Sequence, residues 1–342
     1  MTFETLPLRF FQQPILLTPH FSPRPWGGDA LREVLGKQVP TDKGLIGESW
    51  ELSDHPDGRS MAGDRAFGEL LRAYPQEMLG VEEAPSKFPI LVKYIDARGD
   101  LSVQVHPSNE WCVSHGHNDL GKSECWYVMD CAPGAKVVYG YQPGTTEEQV
   151  RAAIANGTLE SLVYYHPIEP GDFLTIPPGC VHAMLSGTLV CEIQQSSNTT
   201  FRIYDWNRQP PRELHIEQAM QVSELDSLKL PAIQKLGTCT KALTERPDVA
   251  VTLLDNEFFR VTLYQLAPNC AVARARLTHR HGAILNVVSG SGTIAATGIT
   301  EKLALGSTWF LPAAMEAAPG IQSGPDGLRL LQTVSKEVAP RA

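Results

Sequence analysis

Positive charge, paired cysteines and long apolar runs are what this chain does without. Lys and Arg number 29 against 38 Asp and Glu, a formal net charge of −9. That balance argues against a general nucleic-acid surface, which needs a basic stripe to meet phosphates. An anionic small substrate would then need a locally basic pocket. No stretch approaches the roughly 18 continuous apolar residues of a membrane span. The beginning, MTFETLPLRFFQQPILL, has no basic segment followed by a long apolar run and a small-residue cleavage site, so no signal peptide is expected. The seven cysteines are odd in number and contain no CxxC pair. Free thiols in a reducing, cytoplasmic compartment are the expectation. What remains, 42% hydrophobic and 20% charged residues over 342 positions, is the composition of a soluble globular chain. Its length suffices for one large or two ordinary domains with substantial cores.

The most informative stretch is GDFLTIPPGCVH, residues 171–182. Three apolar residues cross a strand, Pro177, Pro178 and Gly179 force a tight turn, and His182 arrives at its end. A histidine held rigidly at the mouth of a β-structure is how a metal ligand has to be presented. The spacing resembles the second motif of the cupin β-barrels, whose other ligands lie on an earlier strand. Such a strand is present in LSVQVHPSNE, where Gln104 and His106 are two apart and share a face. Glu124 opens the next aromatic and β-branched run, GKSECWYVMD. Two imidazoles, a carboxylate and an amide suit a zinc-like divalent ion with an open position; a closed structural site would favour thiolates.

Along the rest of the chain, alternation dominates. Pro23 and Pro25 exclude a helix near the start, and Gly27 and Gly28 predict a sharp turn. GESWELS reads as a strand with Glu48 and Glu51 on opposite faces, one looking into a barrel and the other meeting water. Residues 66–82 read as a helix broken at Pro75. Lys93 lies within an apolar strand, where a lysine needs either solvent or a site. His115 and His117, in a polar loop spanning 107–121, read as solvated. Residues 145–163 carry the clearest helical signal, with Thr145 or Thr146 as cap and Asn156-Gly157 as stop. Glu192 and Gln194 share one strand face, and Arg202 and Tyr204 share another.

A connection spans 209–250, and β patterning returns after Leu253. There Gly306 and Pro312 repeat the spacing of Gly171 and Pro177, but Ala314 and Ala317 replace the turn glycine and the histidine. His279 and His281 keep a His-x-His pair. The expected carboxylate is missing, with Leu285 and Asn286 in that region. One intact and one eroded copy of a long repeat is the simplest account. The predicted fold is mainly β: two cupin-type jelly-roll barrels in tandem with a few short helices. Residues 1–230 would form the catalytic, metal-binding domain, with a helical insert near 145–163. Residues 231–342 would form a degenerate second cupin domain without a complete metal site.

The motifs PRPWGG, GESWELS, LVKYIDARGDLSVQVHP, GKSECWYV, GDFLTIPPGCVH and CEIQQSSNTTFRIYDWNR occur in this order over most of residues 20–210. Together they resemble the type I mannose-6-phosphate isomerases, in particular the short bacterial form. The resemblance implies an enzyme with one zinc ion per chain that interconverts mannose 6-phosphate and fructose 6-phosphate through an ene-diol. It implies zinc ligands at Gln104, His106, Glu124 and His182, an active-site arginine at Arg202, and a carboxylate and a lysine at Glu192 and Lys93. Phosphate anchors fall on Ser102 and Lys122, and the early strand glutamate on Glu48. Either Glu192 or Lys93 would carry the proton. The implied partner is a phosphorylated sugar, with no nucleic acid and no membrane, for a monomer or homodimer. An iron-dependent cupin dioxygenase would use two or three histidines with a carboxylate, whereas here an amide replaces one histidine. A silent sugar-phosphate sensor predicts an eroded site, and erosion is confined to the second copy.

Overall fold

Apolar–polar alternation along this chain becomes strand nearly wherever it occurs. The computed structural model describes residues 6–237, 248–272 and 277–338, which are mainly β with short helices between strands. Among them no helix is long and apolar enough to cross a membrane.

Three sheets carry the fold. A five-stranded sheet runs in the order Val163–Pro167, Lys136–Tyr141, His182–Met184, Val103–Val105, Phe201–Tyr204. A seven-stranded sheet includes Asp172–Ile176, Glu124–Cys131, Thr188–Gln195 and Ile90–Ala97, followed by His20–Gly28 and Ile46–Leu52. A ten-stranded sheet holds Asp248–Asp255, Phe259–Leu266, Gly320–Ser335, Ala283–Ala296 and Thr308–Leu311.

The seven-stranded sheet is covered on both faces, and the period of two shows how. Ile95, Trp126, Leu174 and Val190 join Val137, Tyr139 and Met184 of the five-stranded sheet in one apolar cluster. Their chain neighbours Tyr94, Tyr127, Phe173 and Cys191 join Val261, Ile284, Phe310 and Leu331 of the ten-stranded sheet in another. Each fully buried aliphatic side chain is worth about 1.5–3 kcal/mol. The two clusters therefore bind the three sheets into one stack, with the middle sheet as shared wall.

On the outer face of the five-stranded sheet lies the predicted helix, Glu147–Ala155. The Thr146 hydroxyl accepts from the Gln149 amide and the Gln149 side chain returns the bond, a capping box. Val150 and Ala153 pack under it beside Val105 and Val138.

The expected repeat is visible as topology. Ile90–Ala97, Thr188–Gln195, Glu124–Cys131 and Asp172–Ile176 lie side by side in that order. Phe259–Leu266, Gly320–Ser335, Ala283–Ala296 and Thr308–Leu311 repeat it, every pair antiparallel. The line expected between residues 230 and 231 is crossed in both directions. Gln234–Lys235 pairs with Asp172–Ile176, and Ile15–Thr18 pairs with Thr308–Leu311.

Three local expectations change. Gly27 and Gly28 end an irregular strand, His20–Gly28, instead of turning, and a side chain on Gly27 would meet the Ile46 backbone at 2.5 Å. Residues 109–114 form a short helix capped by Ser108 within the segment read as loop. One of Glu48 and Glu51 is expected to meet water, yet both are buried; Glu51, 1% exposed, pairs with Lys37 at 2.7 Å and accepts from Thr308 at 3.0 Å.

Candidate metal centre and active-site cleft

The Pro177–Gly179 turn carries the chain from the seven-stranded sheet into the five-stranded one. Gly179 has φ +87°, a conformation that disfavours side chains, and a Cβ there would stand 2.8 Å from the Val222 carbonyl. Its amide donates to the His106 carbonyl at 2.9 Å, which ties the turn to the strand bearing the other ligand candidates. His182 pairs in register with Gln104, and Gln104 in turn with Arg202. Glu124 faces them from the other sheet, opposite Ile176 and Gln194.

His106, Glu124 and His182 therefore meet at one end of the stack, all buried, with ligand atoms within 4.8 Å of one another. The Nδ1–H of His106 donates to the Thr199 carbonyl at 2.8 Å, and that of His182 to the Cys180 carbonyl at 2.9 Å. Each Nε2 is thereby left as the lone-pair nitrogen, the arrangement by which backbone carbonyls orient metal-binding imidazoles; Lys122 Nζ stands 3.4 Å from that of His106. The two Nε2 atoms point at Glu124, at 3.7 Å from Oε2 for His106 and 3.3 Å from Oε1 for His182. Burial, helped by the charge of Lys122, holds His106 well below the ordinary imidazole range, and burial takes His182 down to about 4. Both rings are neutral at pH 7, so no proton bridges them to Glu124 Oε1, which has no hydrogen-bond donor. Lone pairs facing a carboxylate in a dry site are a donor set waiting for a cation. The Gln104 amide stands 3.3 Å from His182 Nε2 and completes the set. Nitrogen and oxygen donors without thiolates fit a zinc-type ion with an open position.

Around this floor opens a cleft of about 430 Å³. Seven of the ten residues singled out in the sequence line it: Glu48, Lys93, Ser102, Gln104, Lys122, Glu192 and Arg202. The remaining three, His106, Glu124 and His182, form its base. Lys122 reaches Glu124 Oε2 at 2.7 Å. Burial disfavours its charge, but Glu124 and Glu192 outweigh that and hold it above the ordinary lysine range. Lys93 stands 3.5 Å from Glu192 Oε1, an atom without a hydrogen-bond partner, while Glu192 Oε2 accepts from Trp126 at 3.2 Å. Burial and the neighbouring Glu124 raise the Glu192 carboxyl above its usual range, against the pull of Lys122 and Lys93.

Reading the sequence missed two cationic residues of the cleft, Arg24 and Arg212. Arg24 grips Glu48 with two bonds of 2.9 Å, and Arg212 is clamped by Asp205. Burial works against the Glu48 carboxylate, yet Lys93 and Arg24 outweigh it and carry it down to about 2. Arg24 lies in the quoted PRPWGG motif, so a signal existed; Arg212 follows Pro210 and Pro211 in a segment that reads only as a stop. Arg202 differs from both: it donates to the Glu213 carbonyl at 2.7 Å and leaves Nε without a partner. His115 and His117 are exposed, as expected. His115 stacks on Trp111, and His117 sits 3.0 Å from the Thr199 hydroxyl. His279 and His281 each contact a separate backbone carbonyl, of Met315 and Leu79.

Residues 15–122 match the family described as phosphomannose isomerase type I, catalytic domain. A probable mannose-6-phosphate isomerase of Bacillus subtilis is 36% identical over 88% of this chain and 93% of its own. The crystal structure of the mannose 6-phosphate isomerase from Bacillus subtilis matches with a TM-score of 0.79 and 31% identity, covering 94% of this chain and 100% of that one. A mannose 6-phosphate isomerase solved bound with zinc and yttrium shares the fold, with a TM-score of 0.69 at 16% identity over 95% of this chain and 100% of that one.

Proposed function

Because the chain belongs to the type I phosphomannose isomerases, we propose that its cleft binds one zinc ion and interconverts mannose 6-phosphate and fructose 6-phosphate through an ene-diol. The observation that carries this reading is the pair of lone-pair Nε2 atoms, fixed by backbone carbonyls, converging on Glu124 beside a cationic cleft. Gln104, His106, Glu124 and His182 would hold the metal. When bound, zinc supplies a Lewis acid beside the sugar oxygens, where negative charge develops.

The chain's own groups account for the rest. Isomerisation removes the proton on C2 of the open-chain aldose; that electron pair forms the C1–C2 double bond, and the carbonyl pair moves onto O1. O1 takes up a proton, giving the ene-diol. Loss of the O2 proton and delivery of a proton to C1 then yield the ketose. We assign the carbon-bound proton to Glu192. Its raised acidity range and unpartnered Oε1 suit a group that must accept a proton and return it. Lys93, beside that oxygen, steadies the carboxylate. Arg202 is a cation that keeps its charge at neutral pH and has a free donor for the enediolate oxygen. Ser102 and Lys122 anchor the phosphate, which explains how a protein of net charge −9 accepts a dianion. Glu48 contributes by holding Arg24 at the cleft. The free cysteines among the described residues accord with a cytoplasmic setting.

The test is turnover of mannose 6-phosphate to fructose 6-phosphate by the protein as isolated, after chelation, and after zinc is restored. Activity that falls with the chelator and returns with zinc is the expected result. A folded, zinc-loaded protein without turnover would overturn it.

A further inference from the structure

One wall of the cleft is the short loop after Thr188–Gln195. Its residues Asn198 and Thr200 line the cleft on one side and, on the other, a second cavity of about 780 Å³. Thr199, between them, turns its carbonyl inward to accept the Nδ1–H of His106 at 2.8 Å. A carbonyl on a loop is a poor fixed point unless the loop itself is held. Here the holding group stands behind the wall. Asp119 Oδ2 accepts the Asn198 amide at 2.9 Å and lies 3.5 Å from the Thr199 hydroxyl. Its Oδ1 accepts its neighbour's amide, Leu120, at 2.9 Å and pairs with Lys87 at 3.1 Å. Ser197 reinforces the hold, its hydroxyl donating to the Leu120 carbonyl at 2.7 Å and accepting from the Thr199 amide at 3.2 Å. The carboxyl's pKa reports the same contacts: partial burial would raise it, and the two amides and Lys87 bring it below the usual aspartate range.

We infer that Asp119 is a positioning residue for the metal centre, acting through the Thr199 carbonyl on the tautomer and aim of His106. This rests on the metal-centre reading above. Asp119 touches neither substrate nor ligand atoms; it keeps the proton of His106 on Nδ1, so that Nε2 keeps its lone pair for the ion. Partners that orient a ligand in this way typically govern metal affinity by 10–100-fold.

The experiment measures zinc dissociation constants by chelator competition for wild type, Asp119→Ala and Asp119→Asn, at a temperature where circular dichroism shows each folded. Asp119→Ala is expected to bind zinc about tenfold more weakly, with KM unchanged and kcat recovered at saturating zinc. Asp119→Asn keeps one acceptor oxygen for the Asn198 amide and recovers part of the loss. In the metal-free protein, nitrogen-15 spectra should show His106 leaving the Nδ1–H form in Asp119→Ala. A merely structural aspartate would lower the melting temperature and move neither the zinc affinity nor the tautomer. Wild-type zinc affinity in Asp119→Ala, or in Asp119→Asn should the alanine variant not fold, overturns the inference while leaving the metal centre standing. A wild-type protein that binds no zinc overturns both, which keeps the two failures apart.

Discussion

Where the first repeat carries Glu124, opposite the residue before Pro177, the second carries Ala283, opposite the residue before Pro312. The correspondence continues along the sheets. Glu192 pairs with Trp126 and Lys93; at the matching registers Gln332 pairs with Leu285 and Thr262. His182 gives way to Ala317 at the same distance from the turn proline. One strand order thus carries two interiors. The first encloses three carboxylates and their cations beside the cleft. The second encloses an apolar cluster around Leu285, Trp309 and Leu330, with Gln332 satisfied by the neutral groups of Tyr264 and Thr278. Burying charge costs several kcal/mol per ion before any partner repays it, and replacing buried ion pairs by packed apolar groups is often stabilising. The charges of the first repeat are therefore a burden on the fold. At the registers of Glu124, Glu192 and Lys93 the second set of strands holds Ala283, Gln332 and Thr262.

Substituting the histidines tests this contrast most severely. His182→Ala should lose zinc and lower kcat/KM by about a thousandfold or more. His281→Ala, whose ring contacts the Leu79 carbonyl, should stay within about twofold. Metal loss in the second variant, followed by elemental analysis, would break the contrast.

The glutamate and its glutamine counterpart come next. Glu192→Gln should lower kcat by about 10²–10⁴-fold while zinc content holds. Gln332→Glu should leave kcat alone and cost about 1–3 kcal/mol in urea unfolding, because the Thr278 carbonyl loses its donor.

Arg329 sharpens the comparison from the contact between the units. It is 1% exposed, donates to Tyr127 across the sheets and to the Gln265 side chain and Gly237 carbonyl, and has no carboxylate partner among the described residues. Arg329→Met should lower stability by about 1–3 kcal/mol, with zinc affinity unchanged. A change in zinc affinity would make the second unit part of the metal centre.

The smallest effect concerns acid. The folded-state pKa of Glu48 is depressed from 4.5 to about 2, so its ionisation contributes stability in full above pH 4.5 and loses it as the pH falls toward 2. Wild type should exceed Glu48→Gln in urea midpoint near neutrality, and the gap should close across that window. A gap that is constant from pH 6 to pH 2.5 would remove the Arg24–Glu48 pair from the account.

Much of the site was legible because its signals are local. A turn that needs Gly179, a period of two joining Gln104 to His106, and Glu124 opening a strand are each written within a dozen residues. The parts that escaped depend on distance along the chain. One face of GESWELS is expected to meet water because a strand glutamate normally does, and the contacts of Glu51 with Thr308 and Lys37 reveal the covering sheet. Arg212 enters the cleft through its clamp on Asp205, which no spacing announces. The helix Asn109–Ser114 is too short to show a period, leaving only its cap, Ser108, as a mark. The missing carboxylate of the second repeat was sought at Leu285 and Asn286, whereas pairing puts the vacancy at Ala283, a register that sequence spacing alone does not fix.

The strands exchanged across residue 230 bear on how the chain is made. A ribosome releases residues in order at roughly 5–20 per second. Leu17 and Thr18 pair with Ala62 and Met61, but Ile15 and Leu16 pair with Phe310 and Trp309, so this part of the strand waits tens of seconds for its partner at that rate. During that wait Ile15 and Leu16 form an open apolar edge within reach of other nascent chains. The cleft faces no such delay, since its ligands and their partners lie between Arg24 and Arg212. The residues around the cleft are thus all present early, while the edge at Ile15 and Leu16 stays open until Thr308–Leu311 has been made.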